Sequence, residues 1–375
     1  MSPLPNMVKP ATGPSLMPDW SLLPDELLQI ITEKMDNCFD VVHARSVCSS
    51  WRSTFAFPCS LLSPSYSLPT FNEFSLENEG LCTLKKIPLF LFSVNTPSSS
   101  CEYILGGIGR RDESEGQAEL PSLIQCSVKI PGSSEQTLVN MLDCQILSLG
   151  YQYRMLGWEP EDYKRVAFLP LNKEGGGEFV VLLNCTNDLL VLTSGEMRWK
   201  RLENVPNNSC WDLVTFRGRF YASCFHGTPV VIDPYSLDVT LLIPSCPLRV
   251  INYLVPSGND ELFLVEIIFP PVELELGFEV DLSQLACRVS RLDDEEDEWV
   301  EVNDLGDRVL FIHHGHLGNV SCSAKELPHG CGVTRNSILV TYAPGMGNKT
   351  FSYKSQLHSE DACRIPTGNF VVIVS

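Results

Sequence analysis

Two kinds of apolar pattern succeed one another along the chain. From Leu22 to Phe55 the apolar positions recur at helical spacing. Leu27, Ile30 and Ile31 lie three and four apart, with Leu28 and Met35 nearby, so the spacing predicts a helix that opens after Pro24. Asp19 or Ser21 can cap its start, Pro24 suits the first turn, and Asp25 and Glu26 complement the positive end of the helix dipole. Asp40 is a candidate cap for a second short helix. A third carries Val47, Cys48, Trp51 and Phe55 as one stripe, with Arg45 and Arg52 off it. Helices this short bury little surface by themselves. Their surplus of apolar positions predicts that one face is covered by a partner.

Beyond residue 76 short apolar runs replace the helical spacing. Phe179–Leu183, Leu189–Leu192, Arg219–Ala222, Pro229–Ile232, Val239–Ile243, Glu261–Val265, Trp299–Val302 and Val309–Ile312 read as strands, separated by Gly, Asn, Asp and Pro. Many short strands predict an all-β sandwich or a propeller. A weak internal echo favours the propeller: Trp199–Leu202 leads to Asp212–Tyr221, and Trp299–Val302 leads to Asp304–Phe311. Phe216–Tyr221 is a hairpin signal with Gly218 in the turn, and Val231-Ile232-Asp233-Pro234 ends a strand sharply.

Composition narrows the function classes. The chain has 375 residues, 44% hydrophobic and 19% charged, an ordinary globular mix. Its net charge of −19 argues against nonspecific binding to nucleic acid or to an anionic membrane. No basic group is longer than Arg110-Arg111 or Lys164-Arg165. No apolar run approaches the roughly 18 residues of a bilayer span. Residues 1–18 carry one charge, Lys9, and read as a flexible arm without a secretion signal. Fifteen cysteines without a C-x-x-C pair fit free thiols in a reducing compartment, hence the nucleus or cytoplasm. The sequons at Asn184, Asn207, Asn319 and Asn348 then read as chance matches.

Candidate chemistry is thin. His313, His314 and His316 form the one histidine cluster and could suggest zinc, but lack a Cys or carboxylate at ligand spacing; loop histidines are the preferred reading. Gly106–Gly109 and Gly175–Gly177 do not lead from a strand into a helix with Lys-Ser/Thr, so no phosphate cradle is expected. Cys48 has His43 five positions upstream but belongs to the helical stripe. The acidic run Asp293–Glu298 reads as a solvated hairpin loop, with a surface for a basic partner or a divalent cation as the alternative.

Two resemblances rest on these residues. Leu23-Pro24-Asp25-Glu26-Leu27-Leu28, then Ile30-Ile31, then Val47-Cys48-Ser49-Ser50-Trp51-Arg52 resembles an F-box. The rest resembles the C-terminal domain of SKIP-type plant F-box proteins, held to be a β-propeller, through Trp199, Phe216–Ala222, Val231–Pro234, Trp299–Phe311, Ser323–Pro328 and Asn336–Ile338. The resemblance implies a mainly β protein with a small α N-terminal domain: a three-helix F-box at 19–57, a linker at 58–75 and a β-propeller-like domain at 76–375 that recognises a substrate. It implies a non-catalytic adaptor that binds the Skp subunit of an SCF-type ubiquitin ligase and, through it, cullin. Leu23, Pro24, Leu27, Ile30, Ile31, Val47, Cys48 and Trp51 would make or support that interface. The β domain would hold an unidentified target protein, with no cofactor, metal, nucleic acid or membrane involved. The alternatives are an interaction module acting outside a ligase and an enzyme built on the histidine cluster.

Overall fold

The computed structural model describes residues 19–35, 38–55, 65–70, 80–96, 99–110, 125–129, 136–140, 145–157, 163–171, 177–185, 188–206, 210–224, 228–242, 250–258, 260–268, 286–293, 295–313, 318–327, 333–341, 348–352 and 371–373. The chain divides into two compact units, with the boundary between Leu61 and Leu62.

The first unit is helical. A 3-10 turn, Trp20–Leu22, is followed by α1 (Asp25–Lys34), α2 (Cys38–Val47) and α3 (Ser49–Thr54). Asp19 caps the 3-10 turn, its carboxylate accepting from the Ser21 amide at 3.0 Å and the Ser21 hydroxyl at 2.6 Å. Those bonds, the hydroxyl's first, hold the Asp19 carboxyl below its ordinary pKa. Pro24 takes the N-cap position of α1, where the missing N–H costs nothing. Two expected boundaries move. Asp40 lies inside the first turn of α2 rather than capping it. Val47 closes α2 and Cys48 is the extended N-cap of α3, so no single helix runs from Val47 to Trp51.

Leu28, Val41, Ala44, Trp51 and Phe55 form the core of this unit, with Leu23, Ile31, Met35 and Cys48 packed against it. The Trp51 and Phe55 rings stack with centroids 5.4 Å apart. The Arg45 guanidinium donates to the carbonyls of Arg52 (2.8 Å) and Phe55, satisfying the open end of α3.

The second unit is a five-bladed β-propeller. The first sheet holds β1 (Ser65–Pro69), β2 (Leu81–Thr96), β3 (Ser99–Arg110), β4 (Gln125–Lys129), β5 (Gln136–Asn140) and β6 (Gln145–Leu156). Strand β1 pairs with β2 from Ser65 opposite Lys85, so part of the expected linker belongs to the sheet. The glycine-rich Gly106–Gly109 lies near the end of strand β3. The second blade is β7 (Tyr163–Pro170), β8 (Phe179–Cys185), β9 (Leu189–Thr193) and β10 (Lys200–Arg201). The third is β11 (Cys210–Phe216), β12 (Arg219–Cys224), β13 (Thr228–Ile232) and β14 (Val239–Leu241). The fourth is β15 (Val250–Ser257), β16 (Glu261–Ile268), β17 (Ala286–Asp293) and β18 (Glu298–Glu301). The fifth holds β19 (Arg308–His313), β20 (Val320–Ser323), β21 (Ser337–Thr341) and β22 (Asn348–Ser352) in the order β20-β19-β21-β22, with β19 and β21 parallel. The final strand β23 (Val371–Ile373) returns to the first sheet between β3 and β4.

The central strands explain the apolar runs. In β8 the side chains alternate between two cores: Val180 and Leu182 pack with the third blade's Phe220 and Ala222, while Val181 and Leu183 pack with the first blade's Leu68 and Leu84. Both faces are buried, so the strand reads as continuous apolar sequence rather than as alternation. Three further shared cores join blade three to four, four to five and five back to one, the last through Leu89, Leu149, Phe311 and Leu339. Five shared cores close the ring.

The inner strands β6, β7, β11, β15 and β20 ring the centre, and there polar groups lock the blades together. Asp212 of β11 is 1% exposed. One of its oxygens accepts from Arg165 Nε of β7 at 3.0 Å. The other accepts from the Leu254 amide of β15 at 2.8 Å and from the Asn319 side-chain amide beside β20. One carboxylate thus joins blades two, three, four and five. Gln152 of β6 completes the circuit, its Oε1 accepting from the Gly318 amide at 2.6 Å.

The echo around Trp199 and Trp299 is partly structural. Trp199 immediately precedes β10 and Trp299 lies in β18, the outermost strands of their blades. The segments after them differ: Asp212 enters an innermost strand, whereas Arg308–Phe311 enters the second strand of its blade. The hairpin at Arg217-Gly218 has φ of 46° and 77°, the two left-handed residues that a tight two-residue turn requires.

Candidate functional site

The helical unit presents apolar side chains on two stripes. At about 100° per residue, Leu28, Ile31 and Met35 share one face of α1, and Leu27 and Ile30 share another, about a quarter-turn round. The first stripe packs on the core. The second faces outward, with Leu27 46% and Ile30 54% exposed. Trp20, Leu22 and Val47 are also exposed. Five of the eleven large apolar side chains exposed among the described residues therefore lie in this short unit.

The structure sorts the eight expected interface residues into two groups. Pro24, Leu27, Ile30 and Val47 are at the surface. Leu23, Ile31 and Cys48 are half-buried against the core, and Trp51 is buried within it. The role of Trp51 is positional: its indole Nε1 donates to the Trp20 carbonyl at 3.0 Å, holding the 3-10 turn against α3. Sequence spacing missed Trp20 and Leu22, because a three-residue turn has no periodicity to read. It also missed Leu28 as the centre of the core, because Leu27 and Leu28 are adjacent and both apolar.

Other candidates fall away or lie elsewhere. His314 and His316 lie outside the described residues, and His313 ends β19. Among the described residues no group of three His, Cys, Asp or Glu is placed to hold a metal. Asp293 and Glu295–Glu298 form the exposed β17–β18 hairpin, as the solvated reading expects; Asp297 pairs with Arg219 at 3.3 Å. The sequon residues Asn184 and Asn319 are buried and hydrogen-bonded, Asn184 donating to the Cys210 carbonyl at 2.6 Å. Cys48, Cys82, Cys185, Cys210, Cys224, Cys287 and Cys322 are free thiols. Burial pushes Cys82 up to about 11 and Cys224 and Cys287 up to about 12, so these are packing groups rather than nucleophiles.

At the propeller centre a cavity of about 330 Å³ is lined by the inner strands, including Gln152, Arg154, Lys164, Arg165, Asp212 and Ser321. In the sequence only its basic dipeptide, Lys164-Arg165, stands out. The available signal was the intrusion of Arg and Asp into otherwise apolar strands, at Arg165 and Asp212.

Comparison with known proteins matches both units. The F-box domain family matches residues 20–62, and the KIB1-4 beta-propeller family matches residues 94–363. The Arabidopsis thaliana F-box/kelch-repeat protein At1g64840 is 58% identical over 350 residues, covering 92% of this chain and 89% of the relative. F-box/kelch-repeat protein At2g24250 of the same plant is 57% identical, covering 94% and 90%. F-box protein SKIP23, also from Arabidopsis, is 28% identical over 83% of this chain and 81% of its own length. F-box proteins in general are adaptors that present substrates rather than catalysts. With a helical F-box followed by a five-bladed ring, and with both segments matched in order, the chain belongs to the plant SKIP-type F-box proteins that carry a KIB1-4 β-propeller.

Proposed function

We propose that this chain is the substrate-recognition subunit of an SCF-type ubiquitin ligase. The helical unit docks on the Skp subunit through Pro24, Leu27, Ile30 and Val47, and Skp links it to cullin. Leu23, Ile31, Cys48 and Trp51 hold that face in shape from beneath. The propeller holds a target protein through its loops, which vary freely on a rigid frame. Tethering raises the effective concentration of the target's lysines near the ubiquitin donor, so the chain itself performs no bond chemistry. The observation that carries this reading is the concentration of exposed apolar side chains on the outer stripe of α1 and its neighbours. The free thiols support a reducing compartment, the nucleus or cytoplasm.

The test is co-purification of the full chain with Skp and cullin. Replacing Leu27 and Ile30 together by Ala removes about 2 kcal/mol of burial on docking, close to thirtyfold in affinity. The propeller remains folded in that variant, because both residues belong to the other unit. Unchanged Skp affinity would refute the assignment of the face. Recovery of Skp without cullin would move the reading to an interaction module outside a ligase.

A further inference from the structure

Two cysteines meet inside blade three. Cys210 opens β11, Cys224 closes β12, and the ladder sets them directly opposite one another. Both are fully buried, and both belong to the core shared by blades two and three. Leu213 packs in the same core opposite Ala222, yet it is three residues from Cys210. In a regular strand an odd spacing puts two side chains on opposite faces. Here the register skips Trp211, between Cys210 opposite Cys224 and Asp212 opposite Ser223. That extra residue is a β-bulge, and it turns Cys210 onto the face of Leu213.

The backbone decides which kind of cross-strand pair this is. The Cys210 amide donates to the Asn184 side-chain oxygen at 3.4 Å, and the Cys210 carbonyl accepts from the same side chain at 2.6 Å. With its N–H given to blade two, Cys210 makes no reciprocal pair of bonds with Cys224. The two are therefore a non-hydrogen-bonded pair, the kind whose Cα atoms stand about 4.5 Å apart and whose side chains come closest. A disulfide asks for Cα atoms roughly 4.4–6.8 Å apart. Burial first, and then the neighbouring Cys224 thiol, hold Cys210 well above its ordinary pKa; burial pushes Cys224 up to about 12. At rest both thiols are protonated, so neither is a nucleophile by itself.

We propose that Cys210 and Cys224 form a latent disulfide site, closed by a hydroperoxide and reopened by a dithiol reductant. With hydrogen peroxide, one thiol takes up an oxygen to give a sulfenic acid, and water leaves. The sulfur of the other thiol then displaces that hydroxyl: an S–S bond forms, the S–O bond breaks, and the thiol proton departs in a second water. Two electrons pass from the two thiols to one peroxide. Access is through the open end of the β11–β12 hairpin, opposite the Arg217-Gly218 turn, because strand ends separate before strand centres. The bond closes two residues from Asp212, so oxidation clips the strand whose carboxylate joins four blades. The inference is independent of the ligase reading.

The experiment exposes the folded full chain to hydrogen peroxide, alkylates the remaining thiols and maps disulfides by fragmentation of proteolytic peptides. A peptide pair linked through Cys210 and Cys224 is expected, lighter by two hydrogens than the reduced pair and lost after dithiothreitol. The chain unfolded in urea and oxidised in the same way is the reference. There the fifteen cysteines compete for partners, so this bond should be several-fold enriched in the folded chain. The oxidised chain should also melt at a higher temperature than the reduced chain, because the clip constrains the unfolded state. Cys224→Ala, with its fold checked by circular dichroism, should show no such rise; if that variant does not fold, the wild-type map decides alone. Cys210 and Cys224 both still open to alkylation after peroxide, on unfolding the treated chain, would overturn the proposal. So would a yield of the bond no greater than in the unfolded chain, or either sulfur found as sulfinic acid in place of the bond.

Discussion

Replacement of Asp212 by Asn tests the cross-blade brace most directly. The substitution keeps the shape and removes the charge. Arg165, with 9% of its side chain exposed, then stays buried with the Asp212 charge gone. Each Asp212 oxygen accepts two hydrogen bonds: one from Arg165 and the Leu213 amide, the other from the Leu254 amide and Asn319. Whichever oxygen becomes an NH2 group therefore faces two donors and satisfies neither. An orphaned buried charge costs about 3–5 kcal/mol, and each stranded donor about 1–3 kcal/mol; the terms overlap, because Arg165 is one of the donors. A loss of about 4 kcal/mol is expected, a large share of the roughly 5–15 kcal/mol that holds a domain folded. Urea unfolding of the full chain, followed by tryptophan fluorescence, measures it; the exposed Asp260→Asn provides a control expected to stay within about 0.5 kcal/mol. The double replacement Arg165→Met with Asp212→Leu should recover part of the loss, since no unpaired charge remains. A fall of less than about 1 kcal/mol in Asp212→Asn would show that the carboxylate does not brace the ring.

Three other outcomes are expected of the same structure. Leu28→Ala should destabilise the helical unit by about 2–5 kcal/mol, whereas Leu27→Ala should cost under about 1 kcal/mol, read by helix ellipticity during denaturation; equal losses would mean the two stripes of α1 are misassigned. Gly218→Ala should cost about 1–2 kcal/mol, because φ is +77° and an added Cβ meets nothing within 4 Å, so the penalty is conformational alone; Gly195→Ala, equally open and without a left-handed φ, should be close to neutral in the same thermal melts. The third concerns alkaline pH. Burial raises the folded pKa of Cys82 to about 11 and of Cys224 and Cys287 to about 12, from an ordinary value of 9.0. The folded state holds these protons longer than the unfolded chain, so their contribution is intact below pH 9 and falls as pH rises through 11 and 12. Unfolding midpoints should decline from about pH 9 upward, and Ala at Cys82 should flatten part of that decline.

Legibility of the chain followed the range of the forces involved. The F-box pattern is local, and the Leu23–Ile31 and Val47–Trp51 segments carry it in full. Its helix ends were not readable, because Cys48 adopts an extended cap that no spacing announces. All eight apolar runs named as strands contain one, Val239–Ile243 only over Val239–Leu241 with Ile243 outside the described residues, since runs such as Phe179–Leu183 lie between two blades. The inner strands were harder. Gln152, Arg154, Arg165 and Asp212 face a polar centre and interrupt the apolar signal. Strand β2 escaped for a similar reason, with Lys85, Lys86 and Pro88 breaking its run. Blade number depends on pairings as distant as Val371 with Ile108, and local sequence does not encode them. The cavity was invisible for the same reason: Gln152 and Gly318 meet only when the ring closes.

Each propeller blade gives one face to the blade before it and the other to the blade after it. Excision of any one sheet would strip two neighbours at once and leave oily surfaces on both. Fragments are therefore poor instruments for locating where a target is gripped. Mapping the proposed target's grip calls for single exchanges on the intact wheel, at loop tips such as Tyr235, a residue 74% exposed.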